Sequence, residues 1–237
     1  MRRHSKRFRL LEEKLDHQQL HPLAEAVQVV KQNATAKFDE SVDVAIKLGI
    51  NPKKTDQLVS GTVSLPNGTG KQVRVLVFAK GEKQDEARAA GADHTGFEDL
   101  VEKVKGGWFD FDVAVATPDT MSAVGRLGKM LGPRGLMPSP KTQTVTFDVL
   151  PTVKSLKAGR IKYRTDKTGN IHALVGRASF EPDKLTENVR SFVAEVVRAK
   201  PATAKGQFVR NIVLSSTMGP GVRVDAREFL ETARKEA

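Results

Sequence analysis

The sequence predicts two domains of different class: a split α+β domain, residues 1–67 with 159–237, and a Rossmann-like three-layer α/β domain inserted at 68–158. Three observations carry this. Outside the insertion, Val42, Val44, Ile46 and Leu48 point one way and Ser41, Asp43, Ala45 and Lys47 the other, the pattern of an antiparallel strand with one open face. Inside it, apolar runs at 73–79 and 111–116 are each followed by a helical stretch, at 82–90 and 119–131, and such repetition builds a parallel sheet with helices on its faces. Between the two patterns lie the turn clusters Leu65-Pro-Asn-Gly-Thr-Gly70 and Lys157-Ala-Gly-Arg160, which mark the joints.

The elements follow in order. The chain begins with Arg2, Arg3, Lys6, Arg7 and Arg9 but has no apolar core behind them, so this is a phosphate-binding arm or a solubilising tail and not a secretory signal. Lys37-Phe38 precedes the first alternating strand. There a phenylalanine can lie against a nucleotide while the ammonium meets phosphate, or it can plug the core. Residues 131–141, Leu-Gly-Pro-Arg-Gly-Leu-Met-Pro-Ser-Pro-Lys, hold three prolines and two glycines, a rigid and specifically shaped turn with Arg134 and Lys141 as its charges. Residues 160–164 and 171–175 read as a hairpin around a Gly-Asn tip. Arg160, Lys162 and Arg164 share one strand face, Asp166, Lys167 and Thr168 form the turn, and His172 follows. This basic stripe suits an RNA backbone or is a solvated strand face. Residues 182–199 form a helix with Leu185, Val189, Phe192, Val193 and Val196 on one side. Strands at 208–214 and 222–224 enclose a loop in which Ser215, Ser216 and Thr217 offer hydroxyls to ribose and phosphate. In the same loop Gly219 permits close approach and Met218 gives a polarizable contact, or is simply buried. Residues 225–237 read as a helix capped by Asp225.

Composition narrows the function. The net charge is +11, and residues 68–158 carry 13 Lys/Arg against 11 Asp/Glu while the remainder carries 26 against 17. The basic excess belongs to the split domain, which is where a polyanion should bind. Cysteine is absent, which removes disulfides and thiol chemistry. No run approaches 18 apolar residues, so no membrane-spanning helix is expected. Aromatics are scarce, and the one alternate-residue pair, Phe109 and Phe111, lies in the near-neutral middle, so RNA should be recognised by shape, hydroxyls and phosphates more than by stacking. A nucleotide-binding enzyme is the rival class. Gly70-Lys71 fails as a phosphate loop because Leu65 and Gln72 stand where Gly and Ser/Thr are needed. Gly125-Arg-Leu-Gly128 lacks a dinucleotide fingerprint and reads as close packing of helix on sheet. His17 and His21 have the spacing of a zinc pair, but Gln18 replaces the glutamate, and Asp110 and Asp112 read as ordinary solvated residues. No metal, cofactor or catalytic group is therefore expected. A generic basic RNA-binding protein is the other alternative.

Taken together, the 131–141 segment, Ala34-Thr-Ala-Lys-Phe-Asp-Glu40, Gly61-Thr-Val-Ser-Leu-Pro66, Gly70-Lys-Gln-Val-Arg-Val75, Asp166-Lys-Thr-Gly169 and Thr217-Met-Gly-Pro220 resemble, in order and over about residues 1–224, the L-one family of bacterial large-subunit ribosomal proteins. The resemblance implies a cytoplasmic protein on the large ribosomal subunit that binds the 23S rRNA stalk segment and assists exit-site tRNA release. It also implies repression of its own operon through that mRNA. By the same resemblance the rRNA contacts are Lys37, Phe38, Glu40, Ser41, Asp166, Lys167, Thr168, His172 and the Ser215–Gly219 loop. Arg134 and Lys141 are expected to touch tRNA.

Overall fold

A computed structural model of the chain describes residues 5–13, 15–16 and 19–229; Arg2, Arg3, His17 and the tail from 230 lie outside the described residues. The elements run α1 (Lys6–Glu13), α2 (Leu23–Asn33), β1 (Ser41–Leu48), β2 (Ser60–Ser64), β3 (Val75–Phe78), α3 (Glu82–Ala89), β4 (His94–Gly96), α4 (Glu98–Lys105) and β5 (Val113–Ala116). After a 3-10 turn at Pro118–Thr120 come α5 (Met121–Val124), a 3-10 turn at Gly125–Leu127 and α6 (Gly128–Leu131). Then follow α7 (Val149–Lys157), β6 (Arg160–Arg164), β7 (Asn170–Arg177), α8 (Pro182–Arg198), β8 (Val209–Ser216) and β9 (Val222–Val224). Two compact units result: the chain up to Gly70 with that from Ile161 onward, and Lys71–Arg160.

In the split unit β7, β1, β8 and β9 form an antiparallel sheet in that order. Register places Ala45 between His172 and Val213, and Lys47 between Asn170 and Asn211. One face buries Val42, Val44, Ile46, Leu48, Ile171, Val175, Ile212, Leu214, Val222 and Val224. Helices α2 and α8 cover that face, packing on each other and on β7, β8 and β9. Helix α2 does so because Leu23, Ala26, Val27 and Val30 recur at i, i+3, i+4 and i+7, and all four are buried. Pro22 immediately before it presets the entry at φ −56°. The α8 stripe Leu185, Val189, Phe192, Val193 and Val196 is fully buried. Asn188 joins it: its amide donates to Gly68 O (2.9 Å) and Val175 O (2.8 Å) and accepts from Asn67 N (3.0 Å). The cluster at 65–70 is thereby fastened to α8.

The expected hairpin at 160–175 is not a ladder. β6 pairs with β2, β7 pairs with β1, and only a Thr165–Ile171 bridge joins the two arms. Tyr163 drives the separation by burying its ring edge-on against Phe192 at 5.7 Å.

In the inserted unit β4, β3 and β5 are parallel, with β3 central. Leu76 and Phe78 face Leu100, Val104, Val124, Leu127 and Leu131; Val75 and Val77 face Ala87, Val149, Val153 and Leu156. Both sheet faces are covered, which is why β3 reads as a continuous apolar run. The strands are shorter than the apolar runs suggest, and β4 with α4 fills the interval between them. The helix expected at 119–131 is broken into short α and 3-10 turns. Gly125 and Gly128 do not pack on the sheet, since a Cβ at either would meet nothing within 4 Å. Their low helix propensity, not crowding, explains the interruption.

Candidate nucleic-acid interface

The predicted residues gather at the two ends of β1 and on the open sheet face between them. At the Ser41 end, Glu40 organises two loops. It is 1% exposed, one carboxylate oxygen accepts from Ala36 N (2.9 Å) and the other from Met218 N (2.9 Å). Burial pushes its carboxyl up, but those two backbone donors, with the Ser216 hydroxyl and the Arg7 charge, outweigh it and hold the group below its ordinary value. Glu40 therefore positions the Lys37-Phe38 loop against the Thr217-Met218 loop, with its own carboxylate buried between them.

The side chains those loops carry face outward. Lys37 is exposed, Phe38 is 55% and Met218 49% exposed, so neither apolar group is a core plug. Of the three hydroxyls expected to meet RNA, one is buried and one is bonded within the fold. Ser216 is 4% exposed, its Oγ meets no partner of regular hydrogen-bond geometry, and it lies under Gly219, where a Cβ would come within 2.5 Å of it. Gly219 is thus small to clear Ser216. Thr217 Oγ1 accepts from Ser41 N (2.9 Å), pinning the loop to β1. Ser215 remains on the open face.

Two arginines complete this end, and neither was legible as a partner because both contacts are distant in sequence. Arg7 on α1 donates to Met218 O (3.0 Å) and Thr35 Oγ1 (3.2 Å), so this part of the N-terminal run is docked on the loop. Lys6 is exposed on the same helix. Arg177 donates to Ser41 Oγ and Asp39 O, both at 3.2 Å.

At the other end of β1, about 23 Å away at 3.3 Å per residue, the 166–170 turn is ordered by Asp166. Its carboxylate accepts from Thr168 N (2.8 Å), Asn170 N (2.7 Å) and Thr168 Oγ1 (2.7 Å). Those donors, the Asn170 backbone first, hold it far below the usual carboxylate range. Lys167 and Thr168 are exposed, and Lys47 donates to Thr168 O. His172 is exposed on the open face with Nε2 3.9 Å from Asp166. Asp43 shares this face; burial raises its carboxyl, and the His172 charge opposes that.

The 131–141 segment forms a rigid turn within the inserted unit. Ser139 O accepts from Thr142 N and Thr144 N, both at 3.2 Å, Gly135 takes φ +69°, and Arg134 lies 3.8 Å over the Phe109 ring. Lys141 is exposed. Among the described residues no group of His, Asp and Glu could hold a metal ion, and no helix is long and apolar enough to cross a membrane.

The arrangement offers a one-sided sheet with cations, hydroxyls and two exposed apolar side chains. Residues 30–220 match the ribosomal protein L1p/L10e family. The chain is 57% identical over 221 residues to "Large ribosomal subunit protein uL1" of Azoarcus sp. (strain BH72), covering 93% of this chain and 96% of that protein. It is 55% identical over 225 residues to the protein of that name from Corynebacterium glutamicum (strain R), covering 95% of each. Proteins of this kind are structural and not enzymes. With most of its length matched on both measures, the chain belongs to the ribosomal protein L1p/L10e family.

Proposed function

We propose that this chain is a structural constituent of the large ribosomal subunit, working in the cytoplasm on the ribosome, and that its split unit binds the stalk segment of 23S-type rRNA. The observation that carries the reading is the pair of loops tied together by Glu40, which exposes Lys37, Phe38, Thr217 and Met218 side by side at one end of an open sheet face. Phe38 and Met218 give apolar contact to bases or ribose, while Lys37, Lys167 and His172 meet phosphate. The inserted unit, moving on the joints at 65–70 and 157–160, assists exit-site tRNA release, with Arg134 and Lys141 as its contacts. The same loops bind the chain's own operon mRNA and repress it.

A titration against the stalk RNA and a scrambled RNA of equal length, at two salt concentrations, tests this. The expected result is a preference of about 10³ that persists at the higher salt, borrowing the protein–DNA scale. Met218→Asp removes that preference with little change in the melt, because Met218 is half exposed. Equal binding to both RNAs that collapses with salt would reduce the protein to a polycation.

A further inference from the structure

The open face of the sheet does not end at the 166–170 turn. Where β1 gives way to Gly49 and Ile50, a cleft of about 480 Å³ opens, lined by Gly49, Lys54, Gln57, Thr203, Lys205 and Arg210 among others. Three of the lining side chains are cations and, among the described residues, no carboxylate lines it. Lys54, Lys205 and Arg210 are exposed and join no ion pair with another described residue. Such a cluster makes a positive potential that favours an anion.

The walls of the cleft are held in place by the fold. Gln57 accepts from Asn51 N (2.7 Å) and donates to Thr203 O (3.3 Å), so the loop after β1 is tied to the loop before β8. Gly49 N donates to Phe208 O, and a Cβ at Gly49 would lie 2.1 Å from Gln207 O and 3.2 Å from Arg210 Nε. The clash with the Gln207 carbonyl is what only glycine avoids, and it lets this backbone pack closely against the 207–210 segment that carries Arg210. The register slips here: Lys47 pairs with Asn211 and Leu48 with Val209, which leaves Arg210 unpaired in the bulge. Leu48 N donates to Gly169 O, and Ile50 of the cleft wall lies beside Gly169, so the cleft adjoins the 166–170 turn at the end of β1 away from Phe38 and Met218.

From this we infer that the cleft is a second phosphate-binding site, in which Lys54, Lys205 and Arg210 hold the backbone of the RNA whose other end lies on the Lys37–Ser41 and Thr217–Met218 loops. The inference rests on the proposed rRNA binding by the split unit. The distance between the two sites is covered by several nucleotides of a backbone carrying one charge each, and the cations act on that charge without reading sequence. The loop end supplies preference, the cleft supplies affinity and orientation.

The test compares the wild-type chain, Lys54→Gln/Lys205→Gln/Arg210→Gln, and a control carrying Lys103→Gln/Lys105→Gln/Lys129→Gln, exposed lysines of the inserted unit. Each is titrated with the stalk RNA and the scrambled RNA across a salt series. The cleft variant is expected to bind both RNAs at least about tenfold more weakly near 0.1 M salt, with its log–log salt slope smaller by about 2 to 3. Its preference for the stalk RNA should survive, and the control should bind as wild type does. Wild-type affinity and slope in the cleft variant would overturn the inference while leaving the loop site standing, and so would an equal loss in the control, which would make the effect one of net charge. A wild-type chain that shows no preference would instead remove the reading on which the inference rests. Thermal melts of the variants confirm the fold, since all six side chains are exposed.

Discussion

The two units solve the burial of a sheet differently. In the split unit, α2 and α8 cover one face only, and Asp43, Ala45, Lys47, His172, Val213 and Ser215 stay accessible on the other. In the inserted unit helices lie on both faces of β3, and every residue of that strand is buried. A one-sided antiparallel sheet leaves a long polar surface for a macromolecule, whereas a doubly covered parallel sheet leaves only strand ends and loops. Charge follows the same division. The split unit carries 25 Lys/Arg against 17 Asp/Glu, and Lys71–Arg160 carries 14 against 11. Each unit also holds a carboxylate below its ordinary value, Glu40 in one and Asp112 in the other, and the two tasks differ. Glu40 orders two loops whose side chains are exposed; Asp112 clamps the start of a strand.

Replacing Glu40 tests that contrast most severely. Glu40→Ala leaves the N–H groups of Ala36 and Met218 without their acceptor in a buried place. The expected loss of stability is about 2–4 kcal/mol, read by denaturant unfolding. Preference for the stalk RNA should fall with it. Glu40→Gln keeps the volume but points an amide N–H at one of the two donors, so preference should fall while more of the stability is kept. If Glu40→Gln melted lower and bound normally, the carboxylate would be a stability element alone. Because its folded value is lowered, Glu40 contributes fully above its ordinary 4.5, and that contribution is lost as pH falls through the folded value. Glu40 therefore stays ionised between pH 5 and 8, and its titration should leave binding unchanged across that range.

Much of this contrast is legible in the sequence. Alternation at 41–48 announces the open face, and the apolar run around 75–78 announces the covered strand. The α8 stripe reads directly because it is long and periodic. Helices α2 and α4 carry equally clear signals in Leu23, Ala26, Val27, Val30 and in Leu100, Val101, Val104. What local pattern could not show is pairing over distance. Nothing near residue 160 says that β6 joins β2, which defeats the hairpin. Nothing near Glu40 says that its second oxygen meets an N–H 178 residues away, which gives it a part in positioning the loops. The same holds for Arg7 and Arg177. Exposure of Phe38 and Met218 also depends on what packs elsewhere, so the residues alone leave both outcomes open.

A smaller effect is expected at Asp112. Its carboxylate accepts from Lys71 Nζ (2.8 Å), Arg74 N (3.2 Å) and Arg74 Nε (3.3 Å). The Lys71 bond, acting against burial and joined by Arg74, lowers it from 3.8 to about 2. Asp112→Asn should cost about 1–2 kcal/mol near pH 7, the shift of nearly two units discounted for the half-exposed cations. A lowered carboxylate stabilises above its unfolded value, so the difference between variant and wild type should be constant above pH 4 and shrink as pH falls toward 2. Affinity for the stalk RNA should not change. A loss of affinity as large as that of Glu40→Gln would mean that the inserted unit shapes the rRNA surface, and the division of labour would fail.

The smallest effect is expected from Arg134, where the two regions meet their sharpest test. The rigidity of the 131–141 turn comes from backbone bonds to Ser139 and from its prolines, not from its charges. Arg134 adds a cation over the Phe109 ring, at an exposed site worth about 0.5–1 kcal/mol. Arg134→Ala should lower the melt by that little and leave stalk RNA binding intact, while Arg134→Lys should recover part of the stability. The guanidinium is exposed and rests against the Phe109 ring, which suits a brief contact made at low entropic cost. If tRNA release slows in Arg134→Ala while rRNA affinity stays at wild type, the inserted unit acts on tRNA through this turn. If rRNA affinity falls instead, the covered sheet carries part of the stalk interface, and the open face of β1 cannot account for recognition by itself.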